Sequence, residues 1–251
     1  MSNEVSDKYV HGMDWGDETL TLSFLNNYRI YQFNLVEKFI GQNILEVGSG
    51  DRGFAFFINK CKKFDRLISV EPSSTLFNKY KNVYKFPENV KFYEKDFFHI
   101  KVETYGKFDT IIFTHVLEHL KDDRKALIKS YDILEKGGKV LIEVPALPLL
   151  FSVHDEVLGH YRRYTKKMLR NIIDIEMFNI EKLFYNDLIG VLGSFYFFKI
   201  RQIKINTDSG LSLVENQGMF YDKYIVPIEG KLEKFIKPPL GLSLTAVLTK
   251  I

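Results

Sequence analysis

One cysteine, Cys61, is all the thiol chemistry in these 251 residues, so no intramolecular disulfide can form. That suits a reducing compartment, and the expected location is cytoplasmic. The N-terminal stretch MSNEVSDKYVHGMDWGDE has neither the basic start nor the apolar core of a secretory signal. No run reaches the ~18 apolar residues of a membrane span. The longest, LIGVLGSFYFF at 188–198, is followed by Lys199, Arg201 and Lys204. Two fates are open to it. It packs against a helix expected over 219–237, or the segment 188–204 touches the inner face of a membrane. Strong charge is missing too: a net +3 is too small to argue for nucleic acid, and no nucleic-acid partner is expected. Internal repeats and low-complexity segments are absent. What is present is 45% hydrophobic and 27% charged, enough apolar residues at this length to bury a sizeable core.

Apolar residues recur at helical spacing over residues 20–40: Leu22, Leu25, Tyr28, Ile30, Tyr31, Phe33, Leu35, Val36, Phe39 and Ile40. An alternation of strands and helices follows. NILEV is a strand and FAFFINKC a helix. LISV, ending at Glu71, is a second strand. Pro72 and Ser73 open a helix through Leu76, Phe77 and Tyr80. VKFYE and FDTIIFT are the third and fourth strands. A helix over Asp122 to Leu134 is closed by Gly137 and Gly138, and KVLIEV is a fifth strand stopped by Pro145. Such alternation implies βαβ units and a parallel sheet. Thr165 then caps a helix with Met168, Leu169, Ile172, Ile173 and Met177 on one face. FNIEKLFY and GLSLTAVLTK are strands six and seven. Residues 187–240 between them are too long for a hairpin loop and are predicted as a helical insertion. The expected fold is therefore α/β: a Rossmann-like, doubly wound, seven-stranded sheet whose last strand is antiparallel. One domain spans 1–251, with an N-terminal helical segment (1–42), a cofactor-binding half (43–145) and an acceptor-side half (146–251).

EVGSGDRG places Gly48, Gly50 and Gly53 between a strand and a helix as G-x-G-x-x-G. Glycines there allow a tight turn and close backbone approach, and the helix start offers free N–H groups. The bland alternative is a glycine turn without a ligand. Glu46 separates the ligand classes. It sits two residues before Gly48, where a nicotinamide-binding loop carries an apolar residue. A buried carboxylate costs several kcal/mol unless it is paired or hydrogen-bonded. A cofactor with an ammonium group satisfies it, as the methionine end of S-adenosylmethionine does. A nicotinamide oxidoreductase is disfavoured for the same reason. Glu71 ends strand two, where a carboxylate accepts from ribose hydroxyls. Asp96 in EKDF is placed to accept from the adenine amino group, or else to cap a helix, and Phe97 to cover the ring.

ILEVGSG, ISVEPS, EKDF, FDTIIFTHVLEHL and LEKGGKVLIEVP, in that order, resemble the class I S-adenosylmethionine-dependent methyltransferases over residues 43–145. The resemblance implies that Glu46, Gly48, Ser49 and Gly50 form the cofactor loop. Glu71, with Pro72 beside it, would hold the ribose, and Asp96 and Phe97 the adenine. Thr114 and His115 would lie beside the sulfonium. One departure is visible: Asp51 and Arg52 delay the third glycine to Gly53, so the loop is expected to run differently beyond Gly50. PALPLLFSVHDEVLGHYRRYTKKML, together with the C-terminal ENQGMFYDKYIVPIEGKLEKFIKPPLGLSLTAVLTK, resembles a type 11/12-like subgroup of these enzymes often associated with glycan and polysaccharide assembly.

HDEVLGHYRRYT follows strand five, so it emerges at the strand ends where ligands sit in a parallel sheet. His154, Asp155 and His160 are the candidate bases for an acceptor hydroxyl. The alternative is that His160 bonds locally while Asp155 caps a helix or pairs with Arg162. A metal on these three residues is not expected. Tyr161, Arg162, Arg163 and Tyr164 are the candidate acceptor-binding residues, the arginines for a carboxylate or phosphate. One of the two adjacent arginines is expected to pair with a protein acid. His115, Glu118 and His119 in HVLEHL are open to a second acid–base role, but Glu118 and His119 are expected rather to shape the loop and helix start after strand four. The expected partner is a small-molecule or lipid-linked glycan, O-methylated at a sugar hydroxyl. Rival readings are a quinone or small-lipid methyltransferase and a cofactor-binding subunit without catalysis.

Overall fold

The computed structural model describes residues 26–202 and 216–251. Leu22, Leu25, Lys204 and the stretch at residues 1–18 lie outside the described residues. Seven strands form one sheet: β1 (Asn43–Val47), β2 (Arg66–Glu71), β3 (Val90–Glu94), β4 (Phe108–Thr114), β5 (Leu134–Pro145), β6 (Phe178–Asn186) and β7 (Ser243–Lys250). The order is β3-β2-β1-β4-β5-β7-β6. β1 to β5 pair in parallel, and β7 runs antiparallel between β5 and β6. The expected doubly wound sheet with its antiparallel last strand is what the chain builds.

Period-two alternation assigns the two faces. Leu45, Val47, Ile111 and Phe113 enter one core, and Ile44, Ile112, Leu141 and Val247 the other. The helices that cover the sheet are α1 (Asn26–Val36), α2 (Gly53–Cys61), α3 (Ser74–Lys79), α4 (Val102–Tyr105), α5 (Asp123–Ile133), α6 (Val153–Val157) and α7 (Lys166–Ile172). Residues of α5 and α7 fill the first core, and residues of α1 and α2 the second. Ser73 caps α3 and Thr165 caps α7 through their hydroxyls, as expected. The helix expected through Leu134 stops one residue earlier, and Leu134 already belongs to β5. Leu134 pairs with Phe108 but Lys139 with Thr110, so residues 135–138 bulge outward around Gly137, whose φ is +75°.

The insertion between β6 and β7 holds α8 (Leu188–Ser194), continued in wider turns over Phe195–Ile200, and α9 (Val226–Leu232). Its inner side is polar. Ile189 N–H donates to Glu229 at 2.6 Å and Leu188 N–H to Glu233 at 3.2 Å, so α9 caps the start of α8. Tyr28 N–H donates to Asp222 at 2.7 Å, which ties α1 to the same insertion. Its outer side is apolar. Leu192 is 72% exposed, Phe235 88% and Ile236 71%, with Phe195, Tyr196, Ile200 and Phe220 exposed around them. Both fates considered for 188–198 are therefore compatible: the backbone docks on α9 while apolar side chains face outward. Among the described residues no helix is long and apolar enough to cross a membrane.

Candidate active site

The chain crosses the sheet between β1 and β4, because β2 and β3 lie on one side of β1 and β4 and β5 on the other. Ligands in such folds bind at this switch point, beyond the carboxyl ends of the strands. A cavity of about 420 Å³ opens there. Gly48, with φ +77°, forms one wall, and a Cβ there would stand 2.6 Å from Val116, so only glycine fits. Gly48 and Ser49 N–H groups donate to Val70 O at 2.8 and 3.1 Å, locking the loop onto β2. Gly50 N–H donates to Glu71 Oε2 at 3.0 Å. Beyond Gly50, Asp51 Oδ1 accepts from Gly53 N–H at 2.9 Å. Arg52 takes a left-handed φ of +63° at the start of α2, and its buried guanidinium stacks on Phe92 and donates to Lys81 O and Phe77 O.

Glu46, Gly48, Ser49, Gly50, Pro72, Asp96, Phe97, Thr114 and His115 all line the cavity. Glu71 does not. It is fully buried, and its carboxylate accepts from the Gly50 and Ser73 N–H groups, so in this structure it organises the glycine loop. Asp96 caps the turn, its Oδ1 accepting from Phe98 N–H at 2.8 Å, and it also borders the cavity. Burial raises Glu46 to about 8, the Ser69 hydroxyl relieving part of that cost. Three residues were missed from sequence: Tyr28, Arg29 and Gln32 on α1 also line this end. Gln32 is 1% exposed, and a polar residue on the buried face of a helix is the signal that would have found it.

The opposite wall comes from the loop after β4 and from HDEVLGHYRRYT. His154, His160 and Arg163 line it with His115 and His119. Ser152 opens α6, its N–H donating to Asp155 Oδ2 at 3.0 Å. Gly159, with φ +74°, reverses the chain after α6, and Tyr161 N–H donates to Glu118 O at 2.8 Å, which brings His160 beside the β4 loop. Asp155 is fully buried, outside the wall. Its Oδ1 holds His160 Nδ1 at 2.9 Å and accepts from Arg163 Nε at 2.8 Å. Burial alone would raise Asp155, but the His160 bond and the Arg163 charge outweigh it and bring it to about 2. His154 lies flat on Phe198 at 4.0 Å, and burial lowers it to about 3, so it is a neutral imidazole. His115 adopts a left-handed φ of +54°, a strained geometry for a non-glycine residue, which aims it at Glu118, 3.3 Å away. Arg162 pairs with Asp123 at 2.6 Å, and the Tyr164 hydroxyl donates to the same carboxylate at 2.7 Å. Arg162, Tyr164 and Tyr161 are not in the cavity wall, so of the four expected acceptor-binding residues only Arg163 borders it.

A family model described as a methyltransferase domain matches residues 15–183. The chain belongs to the methyltransferase-domain family. A Bacillus mycoides methyltransferase is 30% identical over 145 residues, which cover 55% of this chain and 65% of that relative. The match thus spans a little under two thirds of the curated relative. Among solved structures, the N-methyltransferase NodS from Bradyrhizobium japonicum, in complex with S-adenosyl-L-homocysteine, is similar at TM-score 0.55 and 13% identity, covering 94% of this chain and 90% of that one. The plantazolicin methyltransferase BpumL is similar at TM-score 0.53 and 17% identity, covering 93% and 86%. At these identities the likeness is one of fold.

The residues of this methyltransferase domain fit S-adenosylmethionine. Arg29 Nε, Gln32 Nε2 and Ser49 Oγ are buried at the cavity without hydrogen-bond partners, and Glu46 lies among them at 3% exposure. An amino-acid end group carrying an ammonium and a carboxylate would meet both needs, Glu46 taking the first and Arg29 with Gln32 the second. Asp96, Phe97 and Phe98 line the end suited to a purine ring.

Proposed function

We propose that this methyltransferase transfers a methyl group from S-adenosylmethionine to a hydroxyl oxygen of a sugar carried on a lipid. The observation that carries the reading is the continuity between the cavity and the apolar outer face. Ser194 and Phe198 line the cavity, and the same segment exposes Leu192, Phe195, Tyr196 and Ile200. Lys199 and Arg201 belong to that same segment. Exposed aromatic and aliphatic groups interleaved with lysine suit the surface of an anionic bilayer. A lipid-borne acceptor would then enter beside Phe198.

When bound, S-adenosylmethionine supplies an electrophilic methyl on a sulfonium. The chain orients the acceptor against it and removes water, and alignment of this kind lowers a barrier by ~7–11 kcal/mol in favourable cases. The acceptor hydroxyl must lose a proton. His154 borders the cavity and its buried Nδ1 has no hydrogen-bond partner, so by position it is the group to accept that proton, although burial weakens it as a base. Asp155 positions His160 and Arg163.

The experiment offers radiolabelled S-adenosylmethionine with three acceptors: a lipid-linked saccharide in phosphatidylglycerol vesicles, the same saccharide without its lipid, and a hydroxylated quinone. Label in the lipid-linked saccharide, weakened by raised salt, supports the reading. Label in the quinone replaces it with the small-lipid rival. Binding of S-adenosylhomocysteine with no label in any acceptor points to a non-catalytic subunit.

A further inference from the structure

HVLEHL and HDEVLGHYRRYT meet at one point that the cofactor reading leaves unused. Glu118, His119 and His160 each bring a ligand-type atom within 4.8 Å of the others. Glu118 comes from a loop whose Oε1 is engaged by His115 Nδ1 at 3.3 Å, while its Oε2 is fully buried and has no hydrogen-bond partner. A buried carboxylate oxygen without a donor is costly unless something positive meets it. His119 and His160 stand edge to face with ring centroids 4.7 Å apart, and both line the cavity.

The second layer is what distinguishes this cluster from a chance packing of rings. A metal-ligating histidine nearly always gives its other ring nitrogen to a carboxylate or a backbone carbonyl, which fixes tautomer and orientation. His160 gives Nδ1 to Asp155, itself held by Arg163 and by Ser152 N–H, so Nε2 is the nitrogen left to coordinate. His119 has the Gly159 backbone as its partner. We infer that Glu118, His119 and His160 form a binding site for one divalent transition-metal cation, opening onto the acceptor side of the cavity. Two imidazoles and one carboxylate suit Zn²⁺, Co²⁺, Fe²⁺ or Mn²⁺. With bonds of ~2.0–2.2 Å the ligand atoms of such a shell stand roughly 3–3.5 Å apart, so closure on the ion needs side-chain shifts of about an ångström.

A three-residue shell leaves open positions, and the side open to the cavity faces the acceptor. Resting on the hydroxyl-methylation reading, the cation's role is to lower the pKa of an acceptor hydroxyl bound at that position. The proton passes to His154. The oxygen forms its bond to the methyl carbon as the carbon–sulfur bond breaks, and that electron pair stays on sulfur as a neutral thioether. In this arrangement His160 serves as a ligand, and the base is His154.

The site is tested by titrating cobalt(II) chloride into the full-length protein after chelator treatment, with visible absorbance as the readout. One equivalent should bind and give d–d bands. Glu118→Gln and His160→Gln should each weaken cobalt binding at least tenfold while calorimetric affinity for S-adenosylhomocysteine stays within a few-fold. Asp155→Asn should weaken it ~10–100-fold, as loss of a supporting partner does. Absence of bands in the wild-type protein at millimolar cobalt overturns the proposal, whatever the variants do. Bands that persist unchanged in both ligand variants overturn it as well, because the ion then sits elsewhere. No acceptor enters this measurement, so cobalt binding stands or falls independently of whether lipid-linked sugar is methylated.

Discussion

Glu46 and Asp155 are both buried carboxylates beside one cavity, and their surroundings drive them in opposite directions. Glu46 meets one hydroxyl, from Ser69, and burial raises it to about 8. Asp155 meets an imidazole and a guanidinium and falls to about 2. The cofactor end is thus built around a carboxylate still in want of a cation. The acceptor end is built around one already neutralised by its own chain. The difference sets them apart: Glu46 lines the cavity with no ion pair among the described residues, and Asp155 is a fixed post from which His160 and Arg163 are hung.

The largest expected effect breaks the acceptor end. Asp155→Ala leaves Arg163 buried without its carboxylate, and loss of one partner from a buried pair costs ~3–5 kcal/mol. Urea denaturation should show that loss, and a change below ~1 kcal/mol would mean that the network is not held by Asp155. Next, His154→Ala should cut methyl transfer by ~10² or more, as loss of a general base does. S-adenosylhomocysteine affinity should stay within a few-fold in the same variant, and a parallel loss of affinity would make α6 part of the cofactor site.

The cofactor end is sharpened through Glu71. Glu71→Ala should weaken S-adenosylmethionine binding by roughly 1–3 kcal/mol, since charged hydrogen bonds to the Gly50 loop are lost. Calorimetry on the folded variant checks this, and unchanged affinity would separate Glu71 from both loop and ribose. The smallest effect is a slope. Burial raises Glu46 to about 8 and Glu71 and Asp187 each to about 7. The fold prefers their neutral forms, so their contribution is complete below the ordinary carboxylate range near ~4 and is lost as pH climbs through about 7 to 8. The melting temperature of the ligand-free protein should therefore fall from pH 6 to pH 9, less steeply in Glu46→Gln. A flat profile in the wild type would mean that these carboxylates find cations in solution.

Strand positions, the glycine loop and the placing of HDEVLGHYRRYT beyond β5 were legible because each depends on local chemistry. Alternation of NILEV and FDTIIFT buries them on both faces, and Gly48 tolerates a φ that a side chain forbids. Side-chain aim was less legible. Arg162 and Tyr164 read as acceptor ligands, yet both turn to Asp123, some forty residues earlier in the chain. Glu71 read as a ribose ligand, yet its oxygens are taken by two backbone N–H groups. Arg29 and Gln32 had no role in the sequence pattern, and it is the placing of α1 that brings them to the cavity.

The sheet, the glycine loop after β1, and the gathering of histidines and carboxylates just beyond β5 were written into the local pattern of residues. These follow from periodicity, backbone freedom and the crossover rule, which act over a few residues or one βαβ unit. The tertiary structure alone decided which ionisable groups face the cavity and which face each other. His160 comes beside Glu118 only because Gly159 reverses the chain and Tyr161 bonds the β4 loop. Burial then sets the charge each group holds, and burial is a property of everything packed around it.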